Sequence, residues 1–421
     1  LQKFTKELFN HINIKEKSVP LRKEYVDYVE SVTSLGVYRD PNNDVMEVFA
    51  VKLKRTSSMS RARTMQRNLI ARYLRQFNRQ GSLVAFYGEN QDWRLSFVKM
   101  DYQLIKDDSG NLKVKEELTP AKRYSFLVGK NEPSHTCKSQ FLEQIQVENV
   151  DPTLKQIEDI FSVEKVTKDF FSKYKELFWD LKDSIEAIIK NDNIVREEFE
   201  EKKISTGDFA KKLMGQIVFI YFLQKKGWLG VEKGGEWGTG PKNFIRKLFN
   251  GEIVKYNNFF NDLLEPLFYE ALASERDDNY YRLFDCKIPF LNGGLFEPIN
   301  SYNWVKTDLT IEDSVFEEIF DTFDTFNFTV KEDEPLEKEV AVDPEMLGKV
   351  FEKLLEVKDR KFKGAFYTPR EIVHYMCQQS LINYLETNSD VPIEDLETFI
   401  QLGDFALDSL IKEQEQLKKY N

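Results

Sequence analysis

The order of the strand-like segments around one glycine-free helix constrains the fold of this 421-residue chain more than any other feature. Extended segments are predicted at 35–39 and 45–54, separated by the turn residues Asp40-Pro41-Asn42-Asn43. A helix to about residue 79 follows, and then two further strands at 82–87 and 93–102. Strand, strand, helix, strand, strand is the order of a compact α/β domain, which we place at residues 1–149.

The spacing of apolar residues changes after residue 150. Asp151-Pro152 is typical of a helix start. Apolar residues then recur every three or four positions from Phe170 to Ile188, which predicts a long core helix, and segment 209–226 is apolar on almost all sides, which predicts a buried one. We therefore predict a mainly α-helical connector domain at 150–340, followed by the start of a third domain at 341–421.

Composition excludes several classes of protein. The longest apolar run in the most hydrophobic helix is 217–223, whereas a membrane span needs about 20 residues, so no membrane partner is predicted. Cys137, Cys286 and Cys377 lie far apart, and the chain has only 3 histidines. This sparse set predicts a reducing, cytoplasmic location and no metal site built from cysteine and histidine.

A basic stretch lies within a chain whose formal net charge is −11. From Lys52 to Gly88 there is no acidic residue. Such a local excess of positive charge indicates a phosphate partner, and we predict contact with double-stranded DNA. On the predicted helix, the basic face is opposite the apolar one; its members are Arg61, Arg72, Arg75 and Arg79. The alternatives are a solvated helix face, or arginines that pair with acids of the helical region such as those at 198–201.

The same strand order is shared by many nucleases of the Asp…(Asp/Glu)-x-Lys type, which hold Mg²⁺ with carboxylates. Asp44, Glu47 and Lys52 are the catalytic candidates because they lie on one predicted strand. Side chains alternate along a strand, so Asp44 and Lys52 share one face and Glu47 lies on the other. The Glu-x-Lys spacing is absent. The sequence therefore favours a module that binds without cutting, and Mg²⁺ is expected only if this domain cleaves DNA.

A well-capped helix start lies near the C-terminal end of the chain, in the string Gly364-Ala365-Phe366-Tyr367-Thr368-Pro369-Arg370-Glu371. Thr368 suits the N-cap, Pro369 the first helical position, and Glu371 the return bond of a capping box. The free backbone N–H groups of such a helix end suit a carboxylate or a phosphate.

This string resembles the first motif of adenine-specific DNA methyltransferases of bacterial restriction–modification systems. The segments 61–68, 83–87, 93–98, 123–129, 221–230 and 291–297 resemble the type IIG methylases of the same group, so the resemblance spans nearly the whole chain. It implies S-adenosylmethionine as cofactor, with Thr368 at its carboxylate. It also implies a cofactor pocket to which Phe366, Tyr367 and Pro369 contribute.

The sequence departs from that family in two motifs. Neither a glycine-rich Asp-Pro-Ala-x-Gly-x-Gly cofactor loop nor an Asn-Pro-Pro-Tyr/Phe string is present. The resemblance therefore implies an N-terminal fragment of a longer enzyme, with a truncated methyltransferase domain that does not itself transfer methyl groups. An associated endonuclease activity remains open, and the alternative is a non-catalytic scaffold that binds DNA or a partner.

Overall fold

The computed structural model describes residues 15–55, 63–89, 92–100, 103–106, 112–115, 121–130, 132–143, 151–291, 293–330, 337–344, 348, 368 and 370–402. The N-terminal part is built on strands. They are β1 (Lys17–Val19), β2 (Val29–Arg39), β3 (Val45–Leu53), β4 (Gly81–Tyr87), β5 (Asp92–Lys99), β6 (Gln103–Lys106), β7 (Leu112–Lys115) and β8 (Lys122–Gly129). One helix, α1 (Arg63–Phe77), lies between β3 and β4 in the chain. The four strands predicted from sequence correspond to β2 to β5, but β2 begins at Val29, six residues before the predicted start at residue 35.

The helical part begins after residue 150. Its helices are α2 (Leu154–Ile160), α3 (Val163–Asn191), α4 (Asn193–Glu201), α5 (Thr206–Lys226), α6 (Phe244–Phe249) and α7 (Asp313–Phe323). Two π-helical segments, Phe260–Leu264 and Pro266–Leu272, and a short hairpin of β9 (Tyr280–Tyr281) and β10 (Cys286–Lys287) lie between α6 and α7. The chain then forms β11 (Glu337–Glu339) and, further on, α8 (Arg370–Asn388) and α9 (Ile393–Leu402). The two long helices predicted from apolar spacing are α3 and α5.

Seven strands form one mixed sheet in the order β1-β2-β3-β4-β5-β8-β11. Strands β1 to β3 are an antiparallel meander, and β4 runs parallel to β3 because α1 connects them. Strands β4, β5 and β8 are antiparallel, and β11 adds a parallel strand beside β8. A separate two-stranded sheet is formed by β6 and β7.

The sheet has a different covering on each face. On one face, Leu69, Tyr73 and Leu74 of α1 pack with Phe49 and Val51 of β3 in a small core. The opposite face joins a much larger core that includes Met46 and Phe126 of the sheet and Phe161, Phe170 and Ile217 of the helical region. The sheet is therefore the middle layer between α1 and the helical region.

Residues on the two sides of the predicted boundary at 149/150 contact each other. The Tyr38 hydroxyl donates to the Pro152 carbonyl at 2.7 Å, and the Leu154 N–H donates to Asp40 Oδ2 at 2.9 Å. β11 lies within the predicted helical domain 150–340 but belongs to the N-terminal sheet. The residue that caps α2 is Thr153, not Asp151, because Thr153 and Gln156 form a reciprocal capping box.

At the C-terminal end, the helix predicted after the Phe-Tyr-Thr-Pro string corresponds to α8. Within the described ranges, no helix combines the length and the apolar character needed to cross a bilayer.

Candidate functional site

The carboxylate of Glu47 is held in a buried set of hydrogen bonds on the α1 side of the sheet. Glu47 is 6% exposed. Its side chain accepts from Ser34 Oγ at 2.6 Å and from Arg79 Nε at 3.2 Å, and its backbone carbonyl accepts from Ser82 Oγ at 2.8 Å. These contacts connect β2, β3 and β4 with Arg79, two residues after the end of α1. The Glu47 carboxylate is therefore used in holding the sheet together.

The other two nuclease candidates lie elsewhere. Because residues alternate along β3, Lys52 projects from the face opposite Glu47, and five residues at about 3.3 Å each place it roughly 16 Å along the strand. Its ammonium pairs with Glu30 at 2.7 Å, and this hydrogen bond raises the pKa of Lys52. Asp44 is half-buried in the β2–β3 turn, where its N–H donates to Asp40 Oδ1 at 2.8 Å. The structure does not bring Asp44, Glu47 and Lys52 together.

Three of the four predicted DNA-binding arginines are described, and they have unlike surroundings; Arg61 lies outside the described residues. Arg72 Nη1 pairs with Glu24 at 2.7 Å and its guanidinium lies 5.9 Å from the Tyr25 ring centroid. Arg79 pairs with Glu47. Arg75 is exposed and forms no ion pair with any residue that the structure describes. The expectation that all these arginines face solvent is therefore wrong for Arg72 and Arg79, which are half-buried.

The N-terminal end of α1 contributes to a charged cluster that was not predicted from the sequence. We call it the arginine–glutamate cluster; its buried members are Arg63, Arg67, Arg94, Arg123, Glu337 and Glu339. Alternation along β11 places both glutamates on the same face, and Glu337 is opposite Arg123 in the register. Four guanidinium groups from α1, β5 and β8 thus surround the two carboxylates of β11.

The distances in the arginine–glutamate cluster separate hydrogen bonds from looser ion pairs. Arg94 Nη1 donates to Glu339 Oε2 at 3.0 Å and to Ser125 Oγ at 2.8 Å. Arg123 donates from Nη2 to Glu337 Oε2 at 3.2 Å and from Nη1 to Gln66 Oε1 at 2.7 Å. Arg63 and Arg67 lie 3.6–3.8 Å from the same carboxylates. These contacts fix β11 and the first turns of α1 to the sheet.

Burial and charge act in opposite directions on the groups of this cluster. Burial lowers the pKa of Arg123, and the nearby Glu337 carboxylate opposes that effect. Burial alone would raise the pKa of Glu339, but Arg94 and Arg63 outweigh burial and hold that pKa below its usual range. Glu339 is therefore held as a carboxylate, and the arrangement is a fixed structural clamp.

A sequence signal for this clamp existed in the spacing of its residues. Arg63 and Arg67 are one helical turn apart beside the apolar face, and Glu337 and Glu339 are two apart, which is the spacing of one strand face. Glutamates are unfavourable strand residues, so only knowledge of their partners identifies β11. Those partners are about 210 to 270 positions away, which is why local patterns missed it.

The predicted cofactor motif is described only at Thr368. Thr368 is exposed and lies two residues before Arg370, the first residue of α8. Exposed apolar side chains follow in the first turns of α8: Ile372, Val373, Tyr375 and Met376. Phe366, Tyr367 and Pro369 lie outside the described residues. Among the residues that are described, no group of three or more His, Cys, Asp or Glu side chains could hold a metal ion.

Comparison with known proteins gives one relative. The chain is 28% identical over 248 residues to the Methanocaldococcus jannaschii protein named "Putative type II restriction enzyme and methyltransferase RM.MjaORFECS2P". The match covers 52% of this chain and 19% of that protein, so the chain spans less than a fifth of its relative. No family model matches the chain. No solved structure matches it either.

Proposed function

We propose that this chain is the N-terminal part of a restriction–modification enzyme that methylates adenine in DNA with S-adenosylmethionine. The observation that carries the proposal is the 28% identity over 248 residues to a relative named as a restriction enzyme and methyltransferase. The resemblance of residues 364–369 to the first methyltransferase motif supports the same assignment. Adenine as the target base and the type IIG arrangement rest on that resemblance.

Within this enzyme, Thr368 and the start of α8 hold the carboxylate of the cofactor. When bound, S-adenosylmethionine supplies the methyl group that is transferred. The residues present fit one wall of its site, because an exposed threonine precedes a helix of 19 residues whose N-terminal dipole favours an anion. The exposed apolar side chains in the first turns of α8 offer a surface for the non-polar part of the cofactor.

The N-terminal sheet, in this proposal, is a scaffold and not a nuclease. Glu47 is occupied by Ser34 and Arg79, and Lys52 lies on the other face of the sheet. The arginine–glutamate cluster fixes β11, the last strand before the methyltransferase segment, to this scaffold. Among the described members of the predicted basic face, Arg75 is the exposed one, and we assign it to DNA phosphate.

The role of Thr368 is tested in the complete enzyme with Thr368→Ala. Loss of one hydrogen bond to a charged group should weaken cofactor affinity about tenfold in calorimetry. Methylation of adenine should fall at low cofactor concentration and recover at high concentration. Thr387→Ala is the matched control, because Thr387 is an exposed residue of the same helix whose hydroxyl donates to the Asn383 carbonyl. An unchanged affinity in Thr368→Ala would remove this threonine from the cofactor site.

The scaffold role is tested with this chain alone. Because the glycine-rich cofactor loop and the Asn-Pro-Pro string are absent, residues 1–421 should transfer no labelled methyl group to DNA. The same preparation should bind duplex DNA with an affinity that falls steeply with salt. Methyl transfer by this chain would contradict the scaffold assignment, and absence of DNA binding would contradict its DNA-contacting role.

A further inference from the structure

A glycine-built loop between α5 and α6 exposes lysines and aromatic rings that the proposed function does not use. Gly227, with φ of 70°, ends α5, and its carbonyl accepts from the N–H groups of Gly238 and Gly240 at 3.0 Å each. A Cβ on Gly227 would lie 2.4 Å from the Gly238 carbonyl oxygen, so glycine is required there. The loop therefore has one compact backbone arrangement.

The hairpin of β9 and β10 packs beside this loop and completes a surface. The Lys287 N–H donates to the Val231 carbonyl at 2.7 Å, and Lys287 Nζ donates to the Gly235 carbonyl at 3.0 Å. Tyr280 is opposite Lys287 in the strand register, so the two side chains share one face. The loop between α5 and α6 and the β9–β10 hairpin therefore form one continuous surface.

Three ammonium groups lie over aromatic rings on this surface. Lys287 Nζ is 4.6 Å from the Trp237 centroid, and Lys233 Nζ is 4.5 Å from the Tyr280 centroid. Lys226 Nζ lies 4.6 Å from the Trp228 centroid at the end of α5. Trp237 is 41% exposed. We name Lys233, Trp237, Tyr280 and Lys287 the lysine–aromatic patch.

The two lysines of the patch have no carboxylate partner among the residues that the structure describes. Neither Lys233 nor Lys287 of the patch is in an ion pair, although the protein carries a net charge of −11. The exposed acids Glu232 and Glu236 belong to the same loop but do not pair with them. Lysines without a carboxylate partner, beside an exposed tryptophan and a half-buried tyrosine, are a combination that binds phosphates and unstacked bases of a single strand.

We propose that the lysine–aromatic patch is a contact site for single-stranded DNA, with a base stacked on Trp237 and phosphates at Lys233 and Lys287. The proposal rests on the proposed function, because an enzyme that modifies a base inside a duplex must take that base out of the stack. The patch would contact DNA whose bases are unstacked, whereas Arg75 of α1 would contact the duplex backbone.

A fluorescein-labelled 20-nucleotide oligothymidine, titrated with the 421-residue chain and followed by anisotropy, tests the site. Trp237→Ala should weaken binding about tenfold, since stacking of a base on an aromatic residue is worth that much or more. Lys233→Ala should lower the slope of log affinity against log salt by about 0.7. Trp237→Phe should retain most of the affinity.

Trp179→Ala is the matched control. Trp179 of α3 is 46% exposed, and Lys182 Nζ lies 5.6 Å from its ring centroid. That lysine differs from the lysines of the patch because it pairs with Glu186. Trp179→Ala should bind as the wild type does. Equal losses in the two tryptophan variants, or no loss in Trp237→Ala, would overturn the proposal.

A duplex of mixed sequence separates this proposal from the proposed function. Trp237→Ala should leave duplex affinity unchanged. An equal loss on duplex and single strand would show a phosphate contact without stacking and would overturn the patch as a single-strand site. Wild-type binding to duplex together with no binding to oligothymidine would defeat the patch and leave the proposed function intact. Failure to bind either DNA would defeat the DNA-contacting role on which the patch rests.

Discussion

The two faces of the seven-stranded sheet bury ionisable groups in opposite ways. On the α1 side, each carboxylate of the arginine–glutamate cluster accepts a hydrogen bond from a guanidinium group, at 3.0 Å for Glu339 and at 3.2 Å for Glu337. In the large core on the helical side, Glu265 is 1% exposed, and the side chains that act on its pKa are Tyr302 and Asp308, neither of which is positive. Burial raises the pKa of Glu265 to about 9, so this carboxyl is neutral at pH 7.

Burial raises the pKa of a carboxyl group unless positive side chains lie beside it, so the neighbouring side chains decide whether a buried glutamate is ionised. Near Glu265 stand Tyr302 and Tyr269, which offer no positive charge, whereas Glu337 has arginines from α1 and β8. The neutral acid can be replaced by an amide at little cost. The charged acid cannot be removed without leaving guanidinium groups unpaired.

The largest effect is expected from Glu337→Ala. It leaves Arg123, Arg63 and Arg67 without the carboxylate they share, and breaking a buried ion pair costs about 3–5 kcal/mol. Urea unfolding measures this loss. Lys338→Ala is the control, because Lys338 is the exposed residue between the two glutamates of β11.

A double variant tests whether unpaired guanidinium charge causes the loss of stability in Glu337→Ala. If it does, Glu337→Ala combined with Arg123→Met should be less destabilising than the sum of the two single variants. Strictly additive losses would show that Glu337 and Arg123 are not coupled. The clamp assigned to this face of the sheet would then be incorrect.

An intermediate effect is expected from Glu265→Gln, and it depends on pH. The folded pKa of about 9 lies above the ordinary 4.5, so the native state binds more protons between these values. Stability therefore decreases as pH rises from about 4.5 to about 9, by at most about 1.4 kcal/mol per pH unit from this group. By pH 7 the cost is about 3 kcal/mol at most. Glutamine has no proton to lose.

Unfolding free energies at pH 5.5, 7 and 8.5 test this expectation. The wild type should lose stability relative to Glu265→Gln as pH rises, and the two curves should converge toward low pH. Parallel curves would mean that Glu265 is ionised in the fold, which would end the contrast with Glu337.

The smallest effect concerns the outer side of α1. Arg72→Ala should cost less than about 1 kcal/mol, because its pair with Glu24 is partly exposed. Arg75→Ala should leave stability unchanged and lower the salt slope of duplex DNA affinity by about 0.9. If Arg72→Ala lowers the salt slope and Arg75→Ala leaves it unchanged, then Arg72, not Arg75, is the phosphate contact.

The sequence predicted the local elements well and the long-range pairings poorly. β2 to β5, α3 and α5 follow from alternation and from apolar spacing, because those signals lie within a few turns or strands. The predicted separation of α1 into an apolar face and a basic face agrees with the burial of Leu69 and Tyr73 on its apolar side. It failed for Arg72 and Arg79, because Glu24 and Glu47 approach from other elements and no helical wheel contains them.

The candidate sites also differed in how far the sequence predicted them, because some depend on one element and others on elements that are distant in the chain. The alternation rule correctly separated Glu47 from Lys52 on β3, since it needs only one strand. The arginine–glutamate cluster needed the position of β11, and the lysine–aromatic patch needed the hairpin of β9 and β10. Beside the patch, the loop after α5 is held in one arrangement because the N–H groups of Gly238 and Gly240 both donate to the Gly227 carbonyl.

The parallel pairing of β11 with β8 has a consequence for synthesis of the chain on the ribosome. Arg123 and Glu337 are 214 positions apart, and the whole helical region is made between them. At about 5–20 residues per second, β8 waits roughly 10–40 s for its neighbour. Throughout that interval β8 is an open edge, and Arg123 places a positive charge on it. Charged residues on such an edge disfavour pairing with strands of other nascent chains. The arginine that later clamps β11 therefore also protects β8 until β11 emerges.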